Sequence, residues 1–173
     1  LQAGADLHAR DNIGATALMY ASYFGHADIV ELLSGAGADV NIRIKQGSTP
    51  LLSASEKGHL EVVERLIELG ADVGARLDDA STALFLAAQN GYTEVCRSLI
   101  EGGTAVDAQN DDGLTALMRS ARNGHVEVVE LLVSAGADLD ALEKKGFGPL
   151  LYASGGGHAV IVRWFIEVGA ELD

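Results

Sequence analysis

The stretch TALMRSARNGHVEVVELLVSAGAD at residues 115–138 decides the fold, because varied copies of it recur every 33 residues along the chain. A Gly-His or Gly-Tyr pair marks the centre of each copy, and its glycine is Gly25, Gly58, Gly91, Gly124 or Gly157. A fixed period of this length is typical of an array of similar supersecondary units, in which each unit packs on its neighbours.

Each copy predicts two short helices. Thr115 precedes an apolar segment, and its hydroxyl can cap the free backbone N–H groups of a first helix. Gly124 suits the left-handed residue that ends such a helix. The apolar stripe from Val128 to Leu132 predicts an amphipathic second helix, which Gly136 ends.

These features resemble the ankyrin-repeat family, whose repeat has this period and a T-P-L-H-x-A signature. The resemblance covers the whole chain, although Met19, Leu52, Phe85, Met118 and Leu151 replace the signature histidine. It implies an all-α solenoid of stacked helix-turn-helix units with protruding β-hairpin-like loops, forming a single domain over residues 1–173. We expect a partial repeat at 1–10, then repeats at 11–43, 44–76, 77–109, 110–142 and 143–173.

Composition narrows the classes of partner. The formal net charge of −13 argues against nucleic acid and against anionic membrane surfaces. No apolar run approaches the ~20 residues that a membrane-spanning helix needs. The lone Cys96 excludes an internal disulfide and fits a reducing compartment. We therefore expect a cytoplasmic protein, with no flanking targeting signal visible.

Several motifs superficially suggest chemistry. His26, His59, His125 and His158 recur once per repeat, so a full repeat separates them and they cannot share one metal ion. The glycines at 155–157 resemble a phosphate loop, yet no strand precedes them and no Gly-Lys-Ser/Thr follows.

The acidic pairs and the thiol also have simpler interpretations than catalysis. The pairs Asp78-Asp79 and Asp111-Asp112 are predicted at loop tips in water, where nothing would shift a catalytic pKa. A contact with a basic partner segment and a divalent-cation site stay open for them. We call the residues that lie 33 positions apart, one in each repeat, a column. Cys96 shares its column with valines, which indicates a buried side chain. We predict no enzymatic activity and no catalytic, cofactor or metal site.

The resemblance implies that partners bind the loop tips and the exposed face of the first helices. We expect the partner-binding residues to be Ile13, Tyr23, Phe24, Arg43, Lys45, Glu56, Lys57, Arg76, Asp78, Asp79, Gln89, Asn90, Asp111, Asp112, Leu114, Arg122, Asn123, Lys144, Lys145 and Phe147.

Tyr23 and Phe24 are the strongest hot-spot candidates, because aromatic residues are enriched at binding hot spots and this pair has no evident framework role. The alternative is that the pair packs on a neighbouring first helix. The predicted surface carries basic residues at both ends and the aspartate pairs between them. A partner with an acidic or phosphorylated stretch at one end and a basic stretch at the other would be complementary to it.

The sequence therefore predicts a non-catalytic scaffold for protein–protein interaction. The alternative is a targeting or regulatory segment of a larger enzyme, channel or secreted effector. Trp164, Phe165 and Ile166 occupy the last repeat, where a polar cap would be expected, so we expect a fragment of a longer array and leave end-to-end self-association open. By resemblance, Asn41 could also be the substrate of an asparaginyl hydroxylase.

Overall fold

The computed structural model describes residues 4 and 6–169, so the predicted partial repeat at 1–10 and the end of the repeat at 143–173 lie partly outside the described residues. Ten α-helices occur in this part of the chain. They are α1 Ala17–Phe24, α2 Ala27–Gly35, α3 Pro50–Lys57, α4 Leu60–Glu68, α5 Ala83–Asn90, α6 Thr93–Glu101, α7 Ala116–Asn123, α8 Val126–Ser134, α9 Pro149–Gly156 and α10 Ala159–Val168. A single 3₁₀ turn at Lys45–Gly47 is the other helical element described.

The helix ends follow from the repeated residues. Thr49, Thr82 and Thr115 cap their helices by accepting the backbone N–H of the residue three positions later, at 3.2–3.3 Å. Thr16 takes the same position without a side-chain bond. A glycine with φ between 76° and 81° ends each first helix, in the left-handed region that glycine adopts at little cost.

The helices stack in two layers. Each first helix packs on the next first helix, from α1 to α9, and each second helix packs on the next second helix. Small buried residues such as Ala54 and Ala88 let the first helices approach closely, while Leu66 and Leu99 fill the space between the layers. This arrangement confirms the predicted all-α solenoid.

Histidines connect successive repeats. The Nε2 atoms of His59, His125 and His158 donate to backbone carbonyl oxygens in the preceding repeat at 2.9–3.0 Å. Each histidine also precedes a second helix as its N-cap residue. Their role in the structure is therefore to hold repeat on repeat.

The loops between helix pairs end in tight turns that stack on one another. Within a loop, the N–H of Leu77 donates to the carbonyl of Ser81 at 2.9 Å, and equivalent bonds recur at Ile44 and Asn110. An isolated antiparallel bridge joins Arg76 and Thr82, and the described residues contain no extended strand. The loop tips thereby form a continuous rim beside the first helices.

Candidate functional site

An open groove lies between the loop tips of the first three repeats and the helices α1 and α3. Its volume is about 370 Å³. Its lining residues come from three repeats and are mostly apolar. They are Ile13, Ala15, Met19, Tyr20, Tyr23, Phe24, Ile44, Gln46, Ser48, Ser53, Glu56 and Leu77.

Three aromatic residues of α1 form one wall of the groove. Tyr23 and Phe24 are 42% and 57% exposed, and their rings meet edge to face at 5.0 Å between centroids. Tyr20 stacks on Phe24 at 6.3 Å. The alternative in which the pair packs on a neighbouring first helix holds in part for Tyr23, because the ammonium of Lys57 in α3 lies 4.8 Å from the centre of its ring. Both side chains nevertheless stay exposed. Exposed aromatic clusters of this kind mark interaction sites more often than framework.

A small side chain creates the depression. In the column of Tyr20, the later repeats carry Ser53, Leu86, Arg119 and Tyr152, so Ser53 is the smallest side chain at this position. In later repeats, larger side chains of this column fill the corresponding space. Leu86 packs on the core, and the Tyr152 ring is contacted by the Arg122 guanidinium, which lies 5.9 Å from its centre. The groove is therefore local to the first three repeats.

A second column makes the groove apolar. Asp11, Asn110 and Glu143 share a column, and each side chain accepts backbone N–H bonds within its own turn. Ile44 and Leu77 occupy the same column in the second and third repeats and line the groove instead. The replacement of polar turn residues by aliphatic ones thus adds apolar surface.

The polar groups of the groove are mostly partnered within the chain. The hydroxyls of Ser48 and Ser53 lie 3.1 Å apart at its floor. The Tyr20 hydroxyl donates to the Asp11 carboxylate at 2.8 Å, and this bond is the main reason why the pKa of Asp11 lies below its ordinary value. A partner side chain entering the groove would therefore meet few unsatisfied polar atoms.

Glu56 and Lys57 form the charged edge of the groove. The Lys57 ammonium lies 3.3 Å from the Glu56 carboxylate and 4.8 Å from the centre of the Tyr23 ring. Hydrogen bonding to Tyr23 and then to Glu56 raises the pKa of Lys57. Lys57 is thus held over the aromatic wall as a cation.

The structure brings four of the predicted residues together in this groove, namely Ile13, Tyr23, Phe24 and Glu56. Sequence reasoning missed Tyr20, Met19, Ile44, Ser53 and Leu77. The signal that could have found them was present: Ser53 and the aliphatic pair Ile44 and Leu77 depart from their own repeat columns. Those departures become meaningful only when the columns are known to face one another.

Two predicted arginines bond to the neighbouring repeat and do not line the groove. Arg43 lies between Ile42 and Ile44, which pack in the same apolar cluster as Met19. The Arg43 guanidinium donates to the carbonyl of Arg76 at 2.9 Å. Arg76 donates in turn to the carbonyl of Gln109 at 2.9 Å. Lys45 stays at the tip, where its ammonium reaches the carbonyl of Asn12 at 3.5 Å.

Other predicted residues take part in the stacking of repeats. Asn90 donates to the carbonyl of Glu56 at 3.2 Å, and Asn123 donates to the carbonyl of Gln89 at 2.7 Å. Both amides are exposed, so these bonds leave one side of each group facing water. Asn41 is similarly engaged, since its side chain bonds to Gly70 and Asp72 in the next repeat.

The prediction that Leu114 lies on the surface is wrong. Leu114 is only 8% exposed and packs with Phe85 and Met118. Leu114 lies just after the loop tip of its repeat, where the chain turns back towards the first helices. Phe147, the next member of the Leu114 column, remains exposed, because no further repeat among the described residues covers it.

The loop tips beyond the groove change from acidic to basic along the array. Asp78, Asp79, Asp111 and Asp112 are exposed at the tips of the third and fourth repeats, and Lys144 and Lys145 follow at the fifth. Asp79 accepts the N–H and the hydroxyl of Ser81, which holds its turn. The predicted pattern of acidic tips next to a basic tip is therefore laid out along one edge.

The remaining candidates lie inside the stack. Cys96 is fully buried, and burial raises the pKa of its thiol to about 12, so the thiolate is disfavoured. In the part of the chain that the structure describes, no three His, Cys, Asp or Glu side chains converge as metal ligands. None of the helices described is long and apolar enough to span a membrane.

Comparison with known families agrees with this architecture. The family model described as "Ankyrin repeats (3 copies)" matches residues 1–77 and 73–143. No curated protein matches the sequence. Since the two family matches together extend over residues 1–143 of 173, well over half of the length, the chain belongs to the ankyrin-repeat family.

Proposed function

We propose that the chain is a non-catalytic protein-interaction scaffold whose partner docks in the groove lined by Tyr20, Tyr23 and Phe24. Ankyrin repeats are generally protein–protein interaction modules, and ankyrin-repeat domains are typically non-catalytic. The observation that carries the proposal is the exposed aromatic wall of α1 beside an apolar depression of about 370 Å³. Exposed aromatic side chains at a concave surface supply most of the binding energy in many interfaces.

The docked surface extends from the groove along the loop tips and the first helices. Exposed residues on this path include the aspartates at 78, 79, 111 and 112 and the lysines at 144 and 145. Rim charges of this kind steer association and select partners more than they add affinity. We assign the affinity to the groove and the choice of partner to the tips.

The double substitution Tyr23→Ala with Phe24→Ala tests the proposal. We expect binding to captured partners to weaken at least tenfold, because two hot-spot rings are removed. We expect far-UV circular dichroism and the melting temperature to change little, because both rings are exposed. The measurement is quantitative affinity capture from a cell extract, followed by titration of each purified partner.

Ile29→Ala with Leu32→Ala supplies a matched control, since both are exposed apolar residues of the first repeat but lie on α2 and do not line the groove. The proposal holds if the control retains partners that the double variant loses. Full retention of every partner by the double variant would contradict it. A large fall in melting temperature would instead show that the aromatic pair belongs to the core.

A further inference from the structure

The shape and chemistry of the groove suit a large apolar side chain. Its surface is apolar apart from neutral polar groups and a single carboxylate, that of Glu56. Its volume of about 370 Å³ is small for a drug-sized site and suits one or two large apolar side chains. An aromatic or long aliphatic anchor entering between Tyr20 and Leu77 would be removed from water on both sides.

An acidic strip begins at the edge of the groove. Gln46 lines the groove, and its carbonyl accepts the backbone N–H of Asp78 at 3.1 Å. The carbonyl of Asp79 accepts the N–H of Asp111 at 2.9 Å. Asp112 completes the strip, so four carboxylates follow one another along bonded loop tips.

These carboxylates keep their negative charge exposed. None of the four forms an ion pair, with a Lys or Arg nitrogen within 4.0 Å of a carboxylate oxygen, in the part of the chain that the structure describes. The bonds that Asp79 accepts come from the uncharged groups of Ser81. The strip ends where the N–H of Lys144 donates to the carbonyl of Asp112 at 3.2 Å, because two lysines follow.

The neighbouring cations offset this strip only in part. Arg43 is the nearest to it, since its Nη2 and the Oδ1 of Asp78 lie 2.6 and 2.9 Å from the place that a Cβ of Gly47 would take. The guanidinium groups of Arg43 and Arg76 donate to backbone carbonyl groups of the next repeat. Lys57 is already paired with Glu56. The net charge of −13 adds a long-range attraction for cations.

We infer that the partner of this groove is an extended peptide segment that carries one bulky apolar anchor and a short basic cluster beside it. The anchor enters between Tyr20 and Leu77, and the lysine or arginine side chains lie over the strip at Asp78, Asp79, Asp111 and Asp112. The basic cluster is short because Lys144 and Lys145 repel its continuation. This inference rests on the proposed function and gives its partner a chemistry.

Selection from a random dodecapeptide phage library tests the inference. The immobilised chain is the bait, and the groove-filled variant Ser53→Leu is the counter-bait. Leucine should fit, because the same column holds Leu86 and Tyr152 in other repeats. We expect enriched peptides to combine a large apolar residue with several lysines or arginines, and their binding to weaken as salt rises.

Synthetic fluorescein-labelled copies of the enriched peptides are then titrated against two charge variants. Asp78→Asn with Asp111→Asn and Asp112→Asn removes three of the four charges of the strip and keeps Asp79, which holds its turn through Ser81, and we expect it to weaken binding about tenfold. Glu61→Gln with Glu101→Gln and Glu130→Gln makes the same charge change on exposed second-helix residues, and we expect no comparable loss.

The outcomes separate the inference from the proposed function. Enriched peptides with acidic or uncharged flanks, or equal affinity for the two charge variants, would overturn the basic cluster. The proposed function would survive that result if Ser53→Leu, or Tyr23→Ala with Phe24→Ala, still abolished binding. Peptides that bind all of these variants as tightly as the native chain would overturn both, as would the absence of any enrichment.

Discussion

Replacing Gly91 with alanine is expected to lower the free energy of unfolding by about 3 kcal/mol. Two costs combine at this residue. Its φ of +76° lies in the left-handed region, which costs a non-glycine residue roughly 1–2 kcal/mol. The added Cβ would also lie 2.6 Å from Nδ1 of His125, the ring that holds the third and fourth repeats together.

Gly157 provides a matched control for this substitution. It ends α9 at the equivalent position with φ +78°, but no atom beyond its two chain neighbours lies within 4 Å of the place that an alanine Cβ would take. Gly157→Ala should therefore cost only the backbone part, roughly 1–2 kcal/mol. Chemical denaturation followed by circular dichroism measures both, and equal losses would contradict the role assigned to His125.

The second large effect is expected at Leu99. Its side chain is fully buried in α6, at the centre of the stack. Leu99→Ala should destabilise the chain by about 2–5 kcal/mol, through lost apolar burial and the cavity left behind. For a chain of this size each kcal/mol lowers the melting temperature by about 2–4 °C. Thermal melts followed by circular dichroism give the loss directly.

Leu32 is the control for Leu99, since it is a leucine of a second helix that is 72% exposed. Leu32→Ala should change the free energy of unfolding by less than about 0.5 kcal/mol. If the two substitutions cost the same, the division between the buried and exposed faces of the second helices would be wrong.

The fold could be predicted from the sequence because every repeat carries the same local signals. Thr115 and Gly124 specify where a first helix begins and ends through their own hydrogen bonds and backbone preferences. The buried stripe at Val128 and Leu132 then specifies which face packs. Repetition makes these weak local preferences decisive, since each one recurs at the same position.

The groove could be predicted only in part. Tyr23 and Phe24 stand out as aromatic residues without a framework role, and the structure places both at the groove. Ser53 differs from the residues at the same position of the other repeats, but this difference acquires a meaning only when its large neighbours in space are known. The burial of Leu114 is hidden for a related reason: Ala15, Ser48 and Ser81 share its column, and their small side chains conceal that the column faces inward.

The acidic strip could likewise be predicted from the sequence only in part. The aspartate pairs are visible in the sequence, and their place at the loop tips follows from the repeat. Their continuity with the groove depends on the bond between Asp78 and Gln46, which joins two repeats across 32 residues. Contacts between different repeats therefore decide what the surface can recognise.

The two methionines of the chain offer the most direct test of the central claim, that a partner binds in the groove of the first three repeats. Met19 lines the groove, whereas Met118, in the same column three repeats later, packs with Phe85 and Leu114. With ¹³C-methyl methionine, titration of a selected dodecapeptide is followed by NMR, and Met19→Leu assigns the two signals. We predict that the Met19 methyl resonance shifts with the binding isotherm while that of Met118 stays in place. A shift of Met118 with Met19 unchanged would contradict the account.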